Sequence, residues 1–415
     1  MSTTATMPDG YSRQPLEKGT PRAMPANLLR DVPLPAAALF ETPLAHNIAW
    51  MQRFAERHGA KLAPHGKTTM APALFQQQMA AGAWGITLAT AVQTAAAHAQ
   101  GIERVLMVNQ LVGRPNMALI AEAIETGLDY YCVVDNVDNV RELGAYFGER
   151  GLVLNVLIEL GVAGGRCGCR DAAQVETLVA AIADQPALAL VGVEGYEGLI
   201  GGGDEIVAVR AYGERLVDTV RKLRASGALQ RDAPIVTASG SKWFDLIAEA
   251  FDNAFSATES RAHYTPVLRP GCYVVHDHRL YAGAMDDIKA RRPELEGELK
   301  PALEIFAHIQ SLPEPGLAIA ALGKRDIGHE PDLPIPLRLY PCASEASAAV
   351  ELDGWRSFHI MDQHLFIEIP PTASVAVGDI IAFGTSHPCL TFDKWRTLLV
   401  VDDDLEVRRT VETCF

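Results

Sequence analysis

The chain has 415 residues, 48% of them hydrophobic and 21% charged, which is too much for one small core and points to two globular domains. Its formal net charge of −15 excludes a nucleic-acid surface, because phosphate binding needs clustered Lys and Arg. No apolar run approaches a membrane span and "MSTTATMPDGYSRQPLEKGTPRAMP" has no signal-peptide core, so a cytoplasmic protein with a small-molecule substrate is expected.

Residues 1–33 are polar and proline-containing and read as an N-terminal arm. Over 34–268, short apolar segments alternate with amphipathic ones. The apolar segments predict strands at 61–65, 85–89, 104–108, 130–134, 152–159, 190–196, 234–238 and 264–268. Helical patterns fall at 71–81, 91–100, 116–126, 137–147, 172–183, 205–225 and 244–254. Near-continuous apolar strands separated by helices indicate a parallel sheet buried on both faces, and eight such units predict a (β/α)8 barrel. No GxGxxG follows the first strand, which weakens a dinucleotide-binding reading. Residues 269–415 change texture: "RPGCYVVHDHRLYAG", "LEIFAHIQSL", "GLAIAALG", "WRSFHIMDQHLFIEIP" and "VGDIIAFG" predict a mostly antiparallel β-domain.

Several residues stand where barrel chemistry is done, just past strand C-termini. Lys67, in "KLAPHGKTTMAP", follows the first strand; it is either a solvated turn lysine or a shielded amine suited to attack a carbonyl. Arg166 lies in the glycine-rich "GVAGGRCGCR" after the fifth strand, within reach of an anionic oxygen. The adjacent Cys167 and Cys169, one residue apart, lack metal-finger spacing and read as structural. Tyr196 ends the sixth strand among glycines, as a ligand-facing or a structural tyrosine. Ser239, Gly240 and Ser241 close the seventh strand and open a helix, as either an anion site or an ordinary cap. His387 and Cys389, in "GTSHPCLTFDKW", sit two apart, so an extended segment would send both side chains from one face; imidazole plus thiolate suits zinc. Seven cysteines (Cys132, Cys167, Cys169, Cys272, Cys342, Cys389, Cys414) without small-scaffold spacing read as reduced thiols.

In this order, "PHGKTTMAP", "GITLAT", "GYEG", "SGS", "LRPGCYVVHD", "ALGKRD" and "SHPCLTFD" resemble the D-serine dehydratase / D-threonine aldolase family of pyridoxal-phosphate enzymes, built on the alanine-racemase-type barrel. The resemblance runs over about residues 34–399. It implies that Lys67 holds pyridoxal phosphate covalently and removes the substrate α-proton. By the same likeness, Ser239, Gly240 and Ser241 form the phosphate turn, Arg166 and Tyr196 line the cofactor ring, and His387 and Cys389 hold a divalent metal. Cysteine in the metal pair resembles the zinc-holding dehydratases, whereas aldolases tend to carry His-x-Asp. "HGKTT" lacks the basic residue that often follows Lys-Thr, and the arm is long; both bear on substrate choice. The implied activity is a zinc-dependent ammonia-lyase on D-serine or D-threonine, in a homodimer. An aldolase giving glycine and an aldehyde, with His364 as a candidate base, is the alternative. A racemase would leave the metal pair unexplained, and a non-catalytic pyridoxal-phosphate carrier would leave residues 269–415 unexplained.

Overall fold

The computed structural model describes residues 17–256, 262–342 and 349–415. Eight parallel strands form one sheet: Lys61–Leu62, Ile86–Leu88, Arg104–Gln110, Asp129–Val134, Leu154–Leu160, Leu188–Gly195, Ile235–Ala238 and Thr265–Leu268. From the second strand onward each pairs with its sequential neighbour, and the eighth returns to the first through Val267 opposite Lys61. The gap between first and second strands is closed by a His65–Thr87 bridge, with Trp84 N donating to Leu62 O at 2.7 Å and Thr87 N to Pro64 O at 2.8 Å. The sheet is therefore a closed barrel, as expected. Ala63, Leu106, Val108, Tyr131, Val133, Leu157, Val191, Ile235 and Val267 fill its interior as one buried cluster. The alternating residues Val105, Met107, Cys132 and Val134 pack outward with the helices. Both faces are buried, which is why these strands read as unbroken apolar runs.

All seven expected helices form, from Pro72–Ala80 to Phe244–Phe255. A further helix, Glu41–Arg57, was not among them; it buries Leu44, Ile48, Met51 and Phe54 in the core. No helix among the described residues is long and apolar enough to cross a membrane.

The second sheet has eleven strands and is antiparallel except where Thr397–Val401 pairs with Ala36–Phe40. Its central strand, Leu303–Glu314, pairs with Ala36–Phe40, Leu317–Ala320 and Ile380–Gly384. Two expectations are corrected here. Residues 36–40, counted with the barrel, belong to this second sheet; "AAALF" is apolar throughout, so its periodicity reports burial without saying which sheet buries it. "RPGCYVVHDHRLYAG", expected to be β-rich, instead makes the 3₁₀ turn Cys272–Val274 and enters the helix Leu280–Arg291. The Asp277 carboxylate forces the switch, accepting the amides of Arg279 and Tyr281 at 2.9 Å and Ala282 at 3.2 Å.

Of the arm expected over residues 1–33, residues 1–16 lie outside the described residues. The rest is tied to the second sheet: Ala26–Asn27 pairs with Glu406–Glu412. Lys18 Nζ lies 3.8 Å over the Trp395 ring and donates to Asp326 at 3.1 Å. "ALGKRD" thus anchors the arm: buried Asp326 also accepts the Gly323 amide, and its carbonyl takes the Trp395 indole N–H at 2.7 Å.

Candidate active site at the barrel mouth

The first barrel strand ends in a turn pinned from three sides. His65 N donates to Pro270 O at 3.1 Å, and Cys414 N donates to Met70 O at 2.7 Å. Gly66 has no room for a side chain; a Cβ there would meet the Phe75 ring at 2.8 Å and Ile86 Cγ2 at 2.9 Å. In the 3₁₀ turn Gly66–Thr68 the flanking Gly66 and Thr68 are buried, as is the following Thr69, while Lys67 at its centre is exposed. Burial holds His65 well below the usual imidazole range, helped by the charges of Lys67, Arg269 and Arg166. His65 is therefore neutral, and three cations face it from the ends of the first, eighth and fifth strands. Its Nδ1 is buried without a partner among the described residues.

Arg166 and Tyr196 meet: the guanidinium carbon stands 4.4 Å from the tyrosine ring centroid. The loop around Arg166 is folded by Arg170, whose guanidinium donates to the carbonyls of Cys167 at 2.5 Å, Gly168 at 2.6 Å and Gly165 at 2.9 Å. Beside it, Gly168 N donates to Asp135 at 2.8 Å and Gln110 donates to Glu159 at 2.6 Å.

The turn after the seventh strand is more occupied than its sequence implies. Ser239 N donates to Glu197 Oε2 at 3.1 Å and Gly240 N to Glu197 Oε1 at 2.6 Å, so two of the amides open to an anion already hold a carboxylate. Ser239 has φ of +95°, a strained conformation for a residue with a Cβ. The Ser241 hydroxyl accepts the amides of Gly271 at 3.3 Å and Cys272 at 3.2 Å, leaving its own O–H to donate. Gly240 lies against Tyr196, since a Cβ there would meet Cε2 at 3.0 Å. Lys67, Arg166, Tyr196 and the 239–241 turn thus all project from strand C-termini around one mouth.

Arg269, just past the eighth strand, is buried and paired with buried Glu194, and donates to Gly195 O at 2.6 Å. Burial pushes Glu194 up to about 7 although Arg269 pulls it down.

His387 and Cys389 come from the second sheet, after the strand Ile380–Gly384. They do not lie on an extended segment: Pro388 is helical and Cys389 opens the short helix Cys389–Phe392. The turn is fixed by Thr385, whose Oγ1 contacts Thr391 Oγ1 at 2.9 Å and accepts the His387 amide at 3.2 Å. A third residue joins them. Cys272 Sγ stands 3.5 Å from Cys389 Sγ, and one ligand atom from each of Cys272, His387 and Cys389 falls within 4.8 Å of the others. Hydrogen bonds from Cys272 and His387 hold the Cys389 thiol well below its usual range, and the same bond holds Cys272 above its own. Cys389 Sγ also contacts Thr68 Oγ1 at 3.4 Å, one residue from Lys67. Lys67 in turn opposes the upward pull of Cys389 on His387. The Tyr281 ring closes the group at 6.2 Å from His387.

Sequence reasoning missed Cys272 and Tyr281. The available signal for Cys272 was the one that singled out Lys67, a position just past a barrel strand. His364, named as a possible base, sits in an exposed hairpin turn between Arg356–Ile360 and Leu365–Glu368.

Residues 42–252 match the alanine racemase N-terminal domain model, and 302–401 match the putative serine dehydratase domain model. The chain is 26% identical to a D-threonine aldolase of Arthrobacter sp over 387 residues, covering 92% of this chain and 93% of the other. It is 30% identical to a D-threo-3-hydroxyaspartate dehydratase of Delftia sp. (strain HT23) over 249 residues, 59% of this chain and 61% of that one. Among solved structures, D-threonine aldolase from Filomicrobium marinum superposes with a TM-score of 0.76 at 22% identity, over 96% of this chain and 98% of that chain. A metal-free cysteine-to-alanine mutant of D-threo-3-hydroxyaspartate dehydratase gives 0.72 at 21% identity, over 94% and 99%. The chain belongs to the alanine-racemase-like, fold-type III family of pyridoxal-phosphate enzymes acting on D-amino acids.

Proposed function

We propose that this member of the fold-type III pyridoxal-phosphate family is a zinc-dependent ammonia-lyase converting D-β-hydroxy amino acids, such as D-serine or D-threonine, to 2-oxo acids and ammonia. The observation that carries the reading is the meeting of Lys67, at the end of the first barrel strand, with the His387–Cys389 pair through Thr68.

The residues fit pyridoxal phosphate. Lys67 presents an exposed amine beside a histidine kept neutral, and the Tyr196 ring with Arg166 stacked on it offers a flat wall. A phosphate at the 239–241 turn would be held by the Ser241 O–H, since Glu197 takes the Ser239 and Gly240 amides and the Ser239 hydroxyl donates to Gly240 O at 3.1 Å. Bound there, pyridoxal phosphate supplies the electron sink that makes the substrate α-carbon acidic. Lys67 takes the α-proton on Nζ. Arg166 and Arg269 add positive charge facing the same mouth and favour an anionic substrate there. A zinc ion held by His387 and Cys389 supplies Lewis acidity for a hydroxyl that otherwise leaves badly. Thr68 positions Cys389, and its place next to Lys67 sets the metal pair beside the α-proton base.

The aldolase reading has one specific support, the D-threonine aldolase of Arthrobacter sp aligned over 92% of this chain. A thiolate in the metal pair and the exposed turn around His364 favour dehydration. A non-catalytic carrier leaves the His387–Cys389 pair without a task. By analogy with the fold we read the enzyme as a homodimer, and from its pattern of free cysteines as cytoplasmic. The test is product identity from D-serine, D-threonine and D-threo-3-hydroxyaspartate, with and without a chelator. Ammonia and 2-oxo acid, lost on chelation and regained with zinc, are expected; glycine plus an aldehyde would establish the aldolase instead.

A further inference from the structure

We propose that Cys272 is a third protein ligand of the metal, so that the centre consists of two thiolates and one imidazole with a single open position. The inference rests on the reading of His387 and Cys389 as metal residues and adds a donor from the barrel itself.

Distance is the first argument. Two sulfurs on one tetrahedral zinc, each about 2.3 Å from the ion, stand about 3.8 Å apart. Cys272 Sγ and Cys389 Sγ stand 3.5 Å apart. A disulfide would bring them to about 2.05 Å, and both cysteines are free. The pair is preset near the edge length of a zinc tetrahedron, and the imidazole of His387 lies within the same 4.8 Å group.

Surroundings are the second. A cysteine acting only as a small apolar core residue would turn its sulfur toward aliphatic neighbours. Cys272 is 4% exposed, yet its sulfur meets the Cys389 sulfur and, at 3.9 Å, the Thr68 hydroxyl. The backbone prepares this orientation: the Cys272 amide donates to Ser241 Oγ at 3.2 Å, tying the 3₁₀ turn to the loop after the seventh strand.

Two consequences separate this centre from one with two ligands. Two thiolates neutralise a divalent charge and are soft donors, so zinc is selected over magnesium or manganese, which prefer oxygen. Three protein donors leave one position on a tetrahedral ion, enough for one substrate oxygen. The ion would also join a turn of the barrel to a turn of the second sheet, and so add to the stability of the whole chain.

The experiment compares metal binding by the pyridoxal-phosphate-loaded wild type, Cys272→Ala, Cys272→Ser and the double variant His387→Ala/Cys389→Ala. Cobalt(II) is titrated while the near-ultraviolet sulfur-to-metal charge-transfer absorbance is followed, and zinc affinity is read by competition with a chromophoric chelator. Loss of Cys272 should reduce the charge-transfer intensity to about half and weaken zinc binding by ~100-fold or more. Unchanged intensity and affinity in both Cys272 variants would overturn the proposal and leave the two-residue metal reading intact. A wild type that binds neither ion, or a double variant that binds both as the wild type does, would overturn that underlying reading as well. Zinc-edge X-ray absorption on the unaltered protein needs no variant to fold: two sulfurs at about 2.3 Å support the proposal, and one sulfur refutes it.

Discussion

At the barrel mouth, Arg269 lies buried between the Glu194 carboxylate and the Gly195 carbonyl, and Glu197 fills two amides of the 239–241 turn. At the seam with the second sheet, His276 is buried and His278 half-buried, and the Nδ1 atoms of both are buried and meet no partner among the described residues. His278 N donates to Thr385 O at 3.0 Å, next to the His387 turn. The mouth buries charge and matches it, whereas the seam holds the His276 and His278 imidazoles in their neutral form. Matching a charge keeps a cation fixed where an anionic ligand must approach. A neutral imidazole serves as a ligand without first losing a proton, whereas a thiol must give its proton up.

Three measurements would break or sharpen this contrast. The largest effect is expected in the mouth. Lys67→Ala should lower turnover by about 10⁴-fold or more, because tether and base are lost together. Borohydride reduction should then leave no pyridoxyl label on the peptide carrying position 67. Retained turnover, or a label mapped elsewhere, would move the chemistry away from this strand end.

Next comes the matched pair. Glu194→Ala strands a buried guanidinium and should cost about 3–5 kcal/mol in denaturant unfolding. A cost below about 1 kcal/mol would mean that the Gly195 carbonyl alone suffices for Arg269.

The smallest of the three is a pH effect whose sign differs between the regions. Burial lowers both His276 and His278 from 6.5 to about 4, so their stabilisation is complete above pH 6.5 and is lost as pH falls toward 4. Each shift corresponds to roughly 3 kcal/mol at most. Glu194 runs the other way: raised from 4.5 to about 7, its stabilisation is complete below pH 4.5 and is lost as pH rises through 7. His278→Asn should therefore flatten the acid limb of the unfolding free energy and leave the neutral limb unchanged. Flattening of the neutral limb by this variant would contradict the division.

Much of the site could be read locally. Lys67, Arg166, Tyr196 and Ser239 each follow a strand whose apolar run was visible, and closing eight such strands in order brings their ends to one mouth. What the pattern could not carry is occupancy: Glu197 on the Ser239 and Gly240 amides is a contact across 42 and 43 residues. The His387–Cys389 spacing was informative, although the pair is presented by a helical turn and not by an extended strand.

By itself the sequence determined the alternation of strands and helices, the lysine at the first strand end and one imidazole–thiol pair, because periodicity and short spacing are properties of neighbouring residues. Tertiary structure alone decided that Ala36–Phe40 leaves the barrel for the second sheet and that Cys272 meets Cys389 across 117 residues. An apolar run reports that it is buried; which partner buries it depends on closure of the whole chain.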